Sequence, residues 1–144
     1  MSMYTCRYSI PGGGNGGELT GPGFGPGNPP SLVAQDALTV QLTWAGNPNA
    51  APDSLSGYFV FSPSPFAPPG QVFPSPFLLN GCYRCCDMQT ANKSTAPGPI
   101  TYTFGGYSYA GGYVGQYELT FVAAMGQGAT EVQWSADPEF ETGN

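Results

Sequence analysis

"LTVQLTW", residues 38–44, alternates without a break: Leu38, Val40, Leu42 and Trp44 are apolar, and Thr39, Gln41 and Thr43 are polar. A period of two sends these sets to opposite faces of an extended chain, so the stretch predicts a strand with one face toward a core. Upstream, "SMYTCRYSI" (2–10) repeats the pattern, with Tyr4, Cys6, Tyr8 and Ile10 on one side and Thr5, Arg7 and Ser9 on the other. Cys6 is thereby expected on the core side.

Downstream, the turn-rich "GNPNAAPDSLSG" (46–57) leads into "YFVF" (58–61), a short apolar run that reads as a strand buried on both faces. In residues 100–125, Ile100, Tyr102 and Phe104 share one face and Tyr117, Leu119, Phe121 and Ala123 another. Two strands are therefore expected to flank a Gly/Tyr connection, "GGYSYAGGY" (105–113), whose glycines permit positive φ or a bulge. "TEVQWSA" (130–136) reads as a last strand with Val132 and Trp134 inward, followed by an acidic tail over 137–144 expected to be disordered. Pro or Gly interrupts almost every helical window, and "SLVAQDAL" (31–38) is the only helix candidate. About seven short strands separated by turn signals predict a single all-β domain over 1–144, an antiparallel β-sandwich or jelly roll.

Two stretches do not fit the strand pattern. "PGGGNGGELTGPGFGPGNPP" (11–30) offers few side chains for packing and is expected to be an extended arm or long loop, ordered only where a neighbour holds it. Pro63-Ser-Pro-Phe66 recurs as Pro74-Ser-Pro-Phe77, and proline at every second position favours an extended path in surface loops or at sheet edges.

The chain of 144 residues holds 22 Gly and 16 Pro, a proportion that on its own suggests disorder. Nine Tyr, nine Phe and two Trp argue instead for an ordered, turn-rich fold, because disordered chains are poor in aromatics. Arg7, Arg84 and Lys93 are the only cations against nine carboxylates. Such a chain has no basic stripe for nucleic acid and no electrostatic anchor for anionic membranes. No apolar run approaches the roughly 18 residues of a membrane-spanning helix. The start lacks a basic segment followed by an apolar one, so synthesis in the cytoplasm without a signal peptide is expected.

Histidine is absent. That removes Ser-His-Asp and Cys-His nucleophile arrangements and the usual histidine-bearing zinc and iron sites. A carboxylate pair such as Glu118 and Glu131 is the remaining hydrolytic candidate, but outward Glu on a half-buried strand is the ordinary pattern. Asp137, Glu139 and Glu141 alternate along the tail, without the ligand spacing of a calcium loop.

Cys82, Cys85 and Cys86 cluster in "NGCYRCCDM" (80–88), and Cys6 is the fourth cysteine. Three states compete: a disulfide staple tying Cys6 to the cluster, reduced buried thiols, and a four-thiolate metal site. The adjacent Cys85 and Cys86 diverge on a strand, which disfavours the metal, and no cofactor is expected. The sequon Asn92-Lys93-Ser94 is given no role.

Low charge and abundant aromatic residues match the composition of protein interfaces. The expected function is therefore a non-enzymatic structural or interaction protein of an extracellular particle: a virion component such as a capsid decoration (cement) or spike-type protein, or a filament subunit. Its partners would be other protein subunits, itself or a major shell protein, in an oligomeric assembly at the particle surface. The aromatic contact candidates are Phe24, Phe66, Phe77, Tyr107, Tyr109 and Tyr113. The alternative is a carbohydrate-binding β-sandwich module, in which closely spaced tyrosines stack on sugar rings.

Overall fold

The computed structural model of the chain describes residues 1–11, 16–25, 30–63, 77–79, 82–83, 86–95, 97–112, 114–126 and 131–143, with backbone alone for 62–63, 77–79, 82–83 and 86–87. Among these the strands in chain order are β1 (Met3–Ile10), β2 (Gly17–Glu18), β3 (Thr20–Gly23), β4 (Ser31–Leu32), β5 (Ala37–Trp44), β6 (Ser54–Pro63), β7 (Phe77–Leu79), β8 (Cys82–Tyr83), β9 (Cys86–Asn92), β10 (Thr101–Tyr109), β11 (Gly115–Met125), β12 (Val132–Ala136) and β13 (Glu139–Thr142). A 3-10 turn, Pro48–Ala50, is capped by Asn47, whose side chain accepts from the Asn49 N–H.

The alternating stretch at 38–44 forms β5 at the centre of the first sheet, ordered β3-β1-β5-β10-β7-β8. The registers Cys6↔Val40, Tyr8↔Leu42, Tyr102↔Leu42 and Phe104↔Val40 bring the apolar faces of β1, β5 and β10 into phase. Cys6, Leu38, Val40, Leu42, Tyr102 and Phe104 are accordingly buried. In the second sheet β9, β6 and β11 run side by side, while β13 and β12 pair with successive parts of the other edge of β11. The two sheets enclose one aromatic core. Phe59 lies 4.7 Å from Tyr107 and 4.8 Å from Phe121, ring centre to ring centre, and Phe61 packs edge-on against Phe140. Tilted pairs of this kind add about 0.5–1.5 kcal/mol each beyond the area they bury.

Four expectations are corrected. First, the sheets are mixed: β1 runs parallel to β5 along its whole length, and β2 and β4 run parallel to β12 and β13. Parallel neighbours need a long crossover connection, and the Gly/Pro-rich stretch between Ile10 and Ala37 supplies it. Second, the described parts of the arm are held by the domain itself. β2 extends the second sheet, β3 pairs with β1 at the edge of the first, and Leu19 is buried. Third, the helix candidate at 31–38 is instead β4, a turn and the start of β5. Asp36 accepts from the N–H of Val33 and of Ser2, which fixes the turn, and Gln35 sits at φ 76° within it. Fourth, the acidic tail is strand β13 with Phe140 and Thr142 buried. An apolar residue alternating with carboxylates at 139–141 is strand periodicity that the net charge of the segment obscures. Pro63 closes β6 and Phe77 opens β7; the rest of the proline repeat lies outside the described residues.

Candidate interaction surface

Of the aromatic contact candidates, Tyr107 and Tyr109 are in the core, each about 1% exposed. The cause is a bulge. β10 pairs Gly105 with Thr39 but Tyr107 with Leu38, so one extra residue enters the strand. Phe104 faces inward before the bulge, and the inward set then changes parity to Tyr107 and Tyr109. Only glycine fits at 105: its φ is +120°, and a Cβ there would lie 2.9 Å from the Leu38 carbonyl oxygen. Tyr109 donates its hydroxyl to the Gly143 carbonyl, anchoring the C-terminal strand rather than offering a contact. Phe24 is half-buried against the core. Phe66 and Tyr113 lie outside the described residues, and for Phe77 only the backbone of β7 is described.

Cys6 is a free, buried thiol. Burial pushes it up to about 11, with a smaller lowering from its hydrogen bond with Tyr8. The expected staple or metal site joining it to the cluster is not formed with Cys82 or Cys86. Cys82 is on β8, four strands away from β1 in the same sheet, about 19 Å at ordinary strand spacing. Cys86 is registered with Val60 in the opposite sheet. A disulfide needs Cα atoms within about 7 Å. Cys85 lies outside the described residues. Among the described residues no cluster of three His, Cys, Asp or Glu is placed to hold a metal ion.

The carboxylates do not form the hydrolytic pair. Glu118 is registered with Glu139, whereas Glu131 precedes Val132, which pairs with Met125. The two are thus separated by most of β11, about 25 Å at ordinary strand rise, beyond the 5–9.5 Å a glycosidase pair requires.

The outward faces of the two sheets differ in chemistry. On the first sheet, β1, β5 and β10 present Thr5, Arg7 and Ser9, Thr39, Gln41 and Thr43, and Thr101 and Thr103, in register. On the second, Met88, Tyr58 and Val122 line up across β9, β6 and β11, with Val60 and Thr120 in the next outward row. Met88 is 58% exposed, Tyr58 41% and Val60 38%, with Val122 half-buried beside them, so among the described residues these side chains form an exposed apolar strip on a folded sheet. The expectation that "YFVF" is buried on both faces is therefore corrected: Phe59 and Phe61 enter the core while Tyr58 and Val60 face out. Four consecutive apolar residues hide which face is which, and only their pairing partners resolve it.

One residue pair along β11 from Thr120, on the same outward face, Glu118 stands opposite Glu139. Burial raises the pKa of Glu118, and the charges of Asp137 and Glu139 raise it further. Comparison with protein-family models, with curated proteins and with solved structures finds no match. Among the described residues, no helix is long and apolar enough to cross a membrane.

Proposed function

We propose that the chain is a non-enzymatic interaction protein of an extracellular particle, a virion decoration or spike-type component or a filament subunit, whose working surface is the outward face of the second sheet. The observation that carries this reading is the Met88, Tyr58 and Val122 row with Val60 beside it. Single exposed apolar residues are ordinary, but a contiguous row across three strands marks a face that gains free energy when covered. The scarcity of Lys and Arg in the whole chain suits a surface meant for burial. The arm contributes differently from the sequence expectation: its described parts pair with β1 and β12 at the domain's own edges.

Quantitative mass spectrometry of particles released by the producing cells tests the reading. The chain is expected at a fixed ratio to a shell or filament protein, and recovery only in the particle-free fraction overturns it. The carbohydrate-binding alternative has one observation in its favour. A cavity of about 250 Å³ opens at the seam between arm and sheets, lined by Tyr8, Glu18, Leu19, Ser135, Ala136 and Asp137. It combines an aromatic ring with carboxylate acceptors, a mixture that suits sugar hydroxyls. Retention on a glycan array that is lost in E18Q/D137N would favour it.

A further inference from the structure

We infer that the outward face of the second sheet docks a protein segment of defined chemistry: an apolar strip that continues at one end into Lys or Arg side chains. This rests on the interaction reading above and specifies the partner. The face has two parts in line. Val122, Tyr58 and Met88 form its apolar centre, with Val60 and Thr120 next to them. Beyond Thr120 along β11 come Glu118 and Gln116, registered with Glu139 and Glu141 of β13.

Like charges directly opposite on neighbouring strands destabilise a sheet. No cation relieves them among the described residues. Arg7 is on the other sheet, and Lys93 is 3.1 Å from Asp53, whose neighbour Ser54 pairs with Asn92 at the far end of β6 and β9. The apolar row and the opposed carboxylates are therefore adjacent, each leaves free energy unrealised in the isolated chain, and one occupant satisfies both. Its apolar residues would cover Tyr58, Val60 and Met88, and its cations would pair with Glu118 and Glu139. A second copy is a poor occupant, since a chain of net charge −6 with three cations brings more carboxylates than it neutralises.

The test is an NMR titration of the 15N-labelled full chain with a short synthetic peptide bearing two arginines at one end and a leucine/phenylalanine run at the other. Matched peptides carry glutamate or neutral citrulline in place of arginine. Shift changes are expected at Tyr58, Val60, Met88, Thr120, Val122, Glu118 and Glu139, with the glutamate peptide at least about ten-fold weaker. V60S/M88S, which alters only exposed side chains, is expected to weaken binding about ten-fold while the amide spectrum stays folded. E118Q/E139Q is expected to abolish the preference for arginine over citrulline. The inference is overturned by shifts confined to another face, by equal binding of the glutamate peptide, or by no shifts at about 1 mM peptide. Self-association mapping to these residues would assign the face to a second copy and also overturns it. If the chain is stoichiometric in particles yet the peptide maps elsewhere, the interaction reading stands and this inference alone fails.

Discussion

At Cys6 the environment decides the chemistry. A thiol whose pKa is pushed up to about 11 by burial is almost wholly protonated near neutral pH, and the thiolate is the species that reacts. With Cys82, Cys85 and Cys86 replaced by serine, Cys6 is expected to resist Ellman's reagent in native buffer and to titrate fully once the chain is unfolded. Labelling of the native chain at the rate of a free thiol would show that Cys6 is reached without unfolding. Gly57 makes the complementary case for space. It faces the core from β6, and an added Cβ would lie 2.7 Å from Cε1 of Phe104 and 3.1 Å from Cε2 of Phe121. Overpacked cores cost about 1–3 kcal/mol, so Gly57→Ala is expected to lower unfolding free energy by that amount in urea titrations. An unchanged midpoint would mean that the two rings move aside freely.

Among the elements, the crossover between β1 and β5 is the one whose role the composition conceals. Its short strands are secured by single apolar residues, Leu19 after β2 and Leu32 in β4, the latter fully buried. Leu32→Ala is expected to cost about 2–5 kcal/mol by chemical denaturation, while Ser31→Ala at the exposed neighbouring position changes little. Equal, small effects at both positions would mean that β4 is not part of the cooperative fold. The contrast explains what the sequence disclosed. Strict alternation at 4–10 and 38–44 identified β1, β5 and their inward residues, because period two is a local property. Parallel pairing of β1 with β5 is not local, and nothing within either strand encodes its neighbour. The parity change at Gly105 shows in the sequence only as a tolerance for irregularity, so the sequence alone offers Tyr107 and Tyr109 as contact candidates. The candidate face was the least legible part: Tyr58, Val60, Met88 and Val122 come from three strands and become a row only through register.

At the scale of the molecule, two carboxylates among the described residues, Asp36 and Glu118, carry opposite shifts. Asp36 accepts from the Val33 and Ser2 N–H groups, which hold its pKa below the ordinary 3.8. A lowered folded value stabilises the chain above the unfolded pKa, and that contribution disappears as pH falls through the folded one. Glu118 does the reverse. Burial and the charges of Asp137 and Glu139 raise it above the ordinary 4.5, so its ionised form burdens the folded chain at neutral pH and the burden is relieved on acidification toward that value. Unfolding free energy is thus expected to rise modestly as pH falls from neutral toward 4.5 and to decline as pH falls below 3.8. Urea titrations across this range separate the two groups, because E118Q should flatten the upper limb and D36N should lower stability at pH 7 and shrink the acid loss. If E118Q leaves the rise between neutral pH and 4.5 intact, the repulsion on the second sheet does not burden the fold, and a cationic partner has nothing there to relieve.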